Sequence, residues 1–152
     1  MRKQHSFPRY PAYNLIQGVS DTPAWVVSQA NQYARDHALT PFVIYQGKWN
    51  VMDRSFEREI IPMARSNGLA LAPWSVLASG KIRTDEEEEK RRQTGEKGRV
   101  IFDPNWERNE KEKAVCKALE KVGAEIGAKH ITSGKLIHHF LRRIGIGDVH
   151  NV

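Results

Sequence analysis

The chain has 152 residues, 39% of them apolar, a formal net charge of +6 and a single cysteine, Cys116. One compact domain of this size buries roughly 70% of its unfolded surface, while a mean hydropathy of −0.60 and the lack of any apolar run near ~20 residues argue against a membrane span. A lone cysteine excludes an internal disulfide and fits a reducing, cytoplasmic setting; the positive charge permits an anionic partner, but no aromatic interleaves the basic block Lys90 to Arg99, which argues against nucleic acid.

Residues 1–14 are basic, hold two prolines and lack periodicity; without an apolar centre they are not a secretory signal, and they are expected to be loose. Leu15 to Val19 is a short apolar run, expected as a strand. A helix follows, with Asp21 or Thr22 as its cap and Pro23 in its first turn. Val26, Val27, Ala30, Tyr33 and Ala34 recur along it at helical spacing and are expected on its buried face. Pro41 to Gln46 is β-branched and aromatic, hence a second strand. A second helix is expected from Asp53, its cap, to Gly68, its stop. Phe56, Ile60, Ile61 and Ala64 share one face of it, and Pro62 should kink or interrupt its last turns. Leu69 to Ala72 reads as a third strand ending at Pro73.

Strands alternating with helices across short connections are the pattern of right-handed βαβ units on a parallel sheet. Further on, the acidic run Asp85 to Glu89 meets the basic block, which predicts a solvated helix laced by ion pairs. Asn109 to Ala128 is amphipathic, with Val115, Ala118, Leu119, Val122 and Ile126 on one face and Gly127 at its end. A last helix is expected in Gly134 to Gly145, with Leu136, Ile137, Phe140, Leu141 and Ile144 apolar. His130, His138 and His139 are poorly spaced for a metal, and Cys116, with no His or Asp nearby in sequence, reads as a packed or surface thiol.

The chemistry concentrates in "LALAPWSVLASGK", Leu69 to Lys81. A strand that ends in a flat aromatic and a hydroxyl, followed by small residues, suits a ligand with a planar ring and an anionic phosphate. Together with "GVSDTPAWVVSQANQYAR" and "TPFVIYQGKWNVMDRSFEREIIPMAR", this stretch resembles the second half of an aldo-keto reductase. The closest likeness is to the fungal aryl-alcohol dehydrogenase and norsolorinic acid reductase branch, over about Leu15 to Ser133.

The resemblance implies an α/β fold: an incomplete (β/α)8 barrel containing about its fifth to seventh strands with flanking helices, followed by a divergent helical tail at 134–152. It also implies an NADP-dependent oxidoreductase that acts on a small-molecule aldehyde or ketone without metal. In such barrels the site lies at the C-terminal ends of the strands. By resemblance, Ser20, Asp21 and Gln46 would bind the nicotinamide carboxamide, whose acceptor and donors they complement. Trp74 would cover one face of the ring, beside Ser75. The small-residue loop Leu77, Ala78, Ser79 and Gly80 would bring backbone amides to the pyrophosphate.

Many members carry Asn or Arg where Asp21 stands, and a proline is frequent where Val76 stands. No residue matches the family's catalytic Asp, Tyr, Lys and His, or recognisably its loop for the adenosine 2′-phosphate. The chain is therefore expected to be a truncated, catalytically incompetent form that binds NADP weakly. The alternative is a non-catalytic fragment acting through self-association or partner binding at open strand edges.

Overall fold

The computed structural model describes residues 16–97 and 105–143. Leu15, Ile144 and the N-terminal segment expected to be loose lie outside them. Three strands, β1 (Gln17–Ser20), β2 (Phe42–Lys48) and β3 (Ala70–Trp74), form a parallel sheet in the order β1-β2-β3. The register of the parallel β1–β2 pair sets Ser20 level with Gln46. The helices are α1 (Ala24–Asp36), α2 (Ile60–Asn67), α3 (Asp85–Thr94), α4 (Glu110–Glu125) and α5 (Gly134–Arg143). Among the described residues no helix is long and apolar enough to cross a membrane. The described residues fall into two compact units, the first comprising 16–46 and 59–72 and the second the remainder.

In the first unit α1 turns Ala24, Val27, Asn31 and Ala34 inward. Tyr33, expected on that face, is instead 58% exposed and stacks on His37 at 3.9 Å. Asn31 takes the inward place because its amide serves β2: Nδ2 donates to the Phe42 carbonyl at 3.0 Å and Oδ1 accepts the Phe42 N–H at 2.8 Å. Neither Asp21 nor Thr22 caps α1. Pro23 occupies the cap position without a side-chain bond, and the Thr22 hydroxyl donates to the Ser20 carbonyl at 2.9 Å.

Pro62 interrupts at the start of α2, not in its last turns. A proline ring clashes with the carbonyl four residues back, here that of Arg58. The segment accordingly breaks into a 3₁₀ turn (Ser55–Glu57) and a helix that begins at Ile60, with Pro62 in its first turn. Asp53 is therefore not the cap: Arg54 and Glu59 precede the 3₁₀ turn and α2, neither with a side-chain cap bond, and Asp53 accepts from the Ser55 hydroxyl at 2.7 Å. Gly68 ends α2 in the left-handed conformation, φ +68°, with nothing within 4 Å of where a Cβ would stand. Gly68→Ala is expected to cost about 1–2 kcal/mol from backbone strain alone. A urea melt unchanged from wild type would contradict this. The third strand continues through Pro73 to Trp74 instead of stopping there.

The second unit is built on Ile82, Cys116, Ile131 and Leu136, with Leu119, Val122 and Ile126 packed against them. Cys116 and Gly123 are the buried residues of α4, whereas Ala118 is exposed. Capping boxes start two helices: Thr84 with Glu87 for α3, and Asn109 with Glu112 for α4. The acidic helix α3 is solvated along most of its length, but Glu88 is buried. Its carboxylate accepts from Arg83 Nε at 3.0 Å and from Arg108 Nε at 2.7 Å. α5 contributes Leu136 to the core and stacks Phe140 on Trp49, ring centres 5.4 Å apart.

Candidate functional site

In the first unit β1 stops at Ser20 because Asp21 turns into the left-handed region, φ +47°. This aims the Asp21 N–H at the Gln46 carbonyl, 3.0 Å away. The Ser20 hydroxyl donates to Asp21 Oδ2 at 2.9 Å. Alternation along β2 buries Tyr45 and leaves Gln46 exposed. The Tyr45 hydroxyl donates to the Thr22 carbonyl at 2.5 Å and pins the turn from below. Burial pushes the Tyr45 phenol above its ordinary value, opposed by that hydrogen bond and helped by the Asp21 carboxylate. Ser20, Asp21 and Gln46 thus form one exposed polar group with hydroxyl, carboxylate and amide functions.

In the second unit the residues after β3 border a cleft of about 540 Å³. Trp74, Ser75, Ala78 and Ser79 line it. Leu77 and Gly80 do not. Leu77 faces a small apolar cavity of about 30 Å³ shared with Trp49, Ile82 and Phe140, and the Gly80 carbonyl accepts from Arg83 Nη1 at 3.0 Å.

The loop is tightly wound. Ser75, Ala78, Ser79 and Gly80 all have positive φ, 55°, 49°, 55° and 89°. For the three that are not glycine this conformation costs about 1–2 kcal/mol each, the kind of strain that clusters at functional sites. The winding turns three amides back into the loop: Ala78 N–H donates to Ser75, Gly80 N–H to Leu77 and Lys81 N–H to Ala78. An anion in the cleft would therefore meet side chains in place of those amides. The Ser75 and Ser79 hydroxyls lie 3.1 Å apart, and Lys48 and Lys81 reach the same space.

Reasoning from sequence did not assign Lys48, Asn50, Asp53, Lys81 or Glu112 to this site, yet all five line it. Asn50 is the bracket that joins its walls. Buried, it donates from Nδ2 to the Ser75 carbonyl at 3.0 Å and accepts the Met52 and Asp53 N–H groups at 2.9 Å each. Lys48 pairs with Asp53 at 3.4 Å and Lys81 with Glu112 at 3.2 Å. The Ser55 hydroxyl, and then Lys48, hold the Asp53 carboxyl below its ordinary range against the opposing effect of burial. Lys48 could have been suspected from its place two residues beyond Gln46, and Lys81 from closing the small-residue loop. Glu112 is 31 residues further on, and its arrival depends on how α4 packs.

A planar indole, two hydroxyls and two ammonium groups around one cleft fit a ligand that joins a flat ring to phosphate. Among the described residues no cluster of His, Cys, Asp and Glu could hold a metal.

Comparison with known proteins gives a consistent result. The model of the aldo/keto reductase family matches residues 16–134. Aryl-alcohol dehydrogenase [NADP(+)] of Phanerodontia chrysosporium is 63% identical over 121 residues, which cover 78% of this chain and 31% of that protein. Norsolorinic acid reductase B of Dothistroma septosporum is 60% identical over 124 residues, 82% of this chain and 30% of that protein. The protein of the same name from Aspergillus parasiticus is 46% identical over 110 residues, 72% of this chain and 28% of that protein. The chain thus spans less than a third of the length of these relatives.

Proposed function

From the premise that the chain belongs to the aldo/keto reductase family, we propose that it is an NADP-dependent oxidoreductase of the aryl-alcohol dehydrogenase type. Its substrates would be aldehyde or ketone carbonyls and the matching alcohols. Membership implies a (β/α)8 barrel, and a three-stranded parallel sheet with its helices is consistent with part of one. The observation that carries the proposal is the cleft after β3, where Trp74, Ser75, Ser79, Lys48 and Lys81 surround one space.

When bound, the cofactor would supply the hydride as NADPH to a carbonyl, or accept it as NADP⁺ from the matching alcohol. On this reading the Trp74 indole would cover one face of the nicotinamide. The lysines and the serine hydroxyls would hold phosphate oxygens by charge-assisted bonds.

These 152 residues contain no match to the family's catalytic Asp, Tyr, Lys and His. A positioned proton donor is worth about 10²–10⁴ in rate. On their own they are therefore expected to bind NADP without reducing an aromatic aldehyde. Binding should be weak, since about 4 kcal/mol corresponds to millimolar affinity. A titration with NADP⁺ followed by the indole NMR signals should move the Trp74 resonance, and Trp74→Ala should weaken binding by roughly tenfold, within the range of a lost base stack. No response at Trp74, or equal binding by the variant, would sink the assignment.

A second reading, self-association, is favoured by the apolar surface of the first unit. Ile16, Leu39 and Val43 there are 76%, 57% and 39% exposed.

A further inference from the structure

Each lysine of the cleft has its own carboxylate, but the two pairs differ in kind. Lys48 and Asp53 are 48% and 36% exposed, whereas Lys81 and Glu112 are only 16% and 19% exposed. A shielded pair is screened less by salt and interacts through a lower effective dielectric. Glu112 is also immobilised. While Oε1 faces Lys81, Oε2 accepts the Asn109 N–H at 2.8 Å, and the Asn109 side chain accepts the Glu112 N–H at 2.9 Å. The carboxylate is thus part of the device that starts α4 and cannot swing away when an anion arrives. Lys81, on a four-carbon stem, can turn to a ligand. Glu112 stays behind it as a fixed negative charge on the wall of the cleft.

We propose that Glu112 is a specificity-determining residue of this cleft: its fixed charge beside Lys81 weakens the binding of bare polyanions, so that occupancy requires the additional contact a flat ring makes with Trp74. The proposal rests on reading the cleft as a ring-and-phosphate site. A free pyrophosphate has only the lysines and hydroxyls to bind, and it meets Glu112 as a like charge. A dinucleotide, whose pyrophosphate is esterified at both ends and carries less charge, meets a smaller repulsion and adds the stack. Specificity of this sort comes from penalising the wrong ligand as much as from holding the right one.

The test uses inorganic pyrophosphate and NADP⁺ as probes of the full chain, wild type against Glu112→Gln, Lys81→Met and the double variant. Glutamine is accepted at the third position of a capping box, so α4 keeps its start and the melt should remain cooperative. Glu112→Gln should bind pyrophosphate about fivefold more tightly, the effect of removing one charge at several ångströms in a partly hydrated site. The affinity should also fall more steeply with added salt. Lys81→Met should weaken binding when introduced alone, and the gain from Glu112→Gln should persist in the double variant relative to Lys81→Met.

Equal pyrophosphate affinity in wild type and Glu112→Gln overturns the proposal. So does a gain that vanishes without Lys81, which would make Glu112 a competitor for the lysine and not a charge against the ligand, or no pyrophosphate binding by any variant. If pyrophosphate tightens while NADP⁺ binds to none of the four proteins, the role of Glu112 stands and the cofactor reading fails. If NADP⁺ binds and pyrophosphate affinity does not move, the cofactor reading stands and the role of Glu112 falls.

Discussion

Replacing Glu88 by alanine is expected to destabilise the second unit by about 3–5 kcal/mol, the cost of removing one partner from a buried ion pair and leaving the other charge uncompensated. Here Arg83 loses its carboxylate and Arg108 keeps only the exposed Asp85. The side chains of Glu88, Arg83 and Arg108 are 3%, 4% and 1% exposed, and one carboxylate oxygen of Glu88 accepts from both guanidinium groups and from the Arg108 backbone N–H at 3.3 Å. The arginines tie the cluster onward: Arg83 to the Trp106 carbonyl and over its ring, Arg108 to the Arg83 carbonyl and to Asp85. Glu88→Gln keeps the volume but sets an amide N–H₂ against a guanidinium, and should be nearly as harmful.

The pH dependence follows from the same contacts. Burial alone pushes the Glu88 carboxyl up, but the hydrogen bonds and charges of Arg108 and Arg83 outweigh it, and the net value lies below the ordinary 4.5. A depressed folded pKa means that the stabilisation is fully present above about 4.5 and is lost as pH falls through the lower folded value. Urea melts should therefore show a large gap between wild type and Glu88→Gln at neutral pH that narrows in acid, as the wild-type carboxyl takes up its proton. A gap that is small at pH 7, or constant with pH, would refute the assignment.

Asn31→Leu should cost the first unit about 2–4 kcal/mol, although leucine is the better helix former and more apolar. The side chain of Asn31, itself 1% exposed, satisfies both backbone groups of Phe42. Leucine strands an N–H and a C=O at the start of β2, and each orphaned buried group costs about 1–3 kcal/mol. Asn31→Asp distinguishes this mechanism from packing. It can still accept the Phe42 N–H but turns an oxygen on the Phe42 carbonyl, so it should be destabilised at neutral pH and partly recover in acid, where a protonated carboxyl can donate. Hydrogen exchange at the Phe42 amide should accelerate in the leucine variant and much less in the aspartate variant. A leucine variant as stable as wild type would mean that these bonds carry no net stability.

Both predictions depend on polar residues whose importance is invisible in the linear pattern. Asn31 lies among the helix positions between Tyr33 and Ala30 and reads as a surface residue. Glu88 is one of four consecutive glutamates, and such a run is usually solvated. Their roles depend on partners 11 residues away in one case and 5 and 20 in the other. The cleft is similar: Trp74, Ser75 and the small-residue loop stand out in the sequence, but the lysines and the Glu112 counter-charge reach them only through packing.

What the sequence determined by itself is the order and type of the elements. Strand runs alternating with 3.6-period helices, Gly68 and Gly127 as stops with left-handed backbone, and long motifs resembling one family all express short-range chemistry that the chain carries locally. Tertiary structure decided which residue of each helix faces inward, where Pro62 breaks its segment and which charges are buried. Those outcomes depend on partners distant in the chain. A buried amide or carboxylate is tolerated only when packing delivers groups that satisfy it, and no local pattern encodes that delivery.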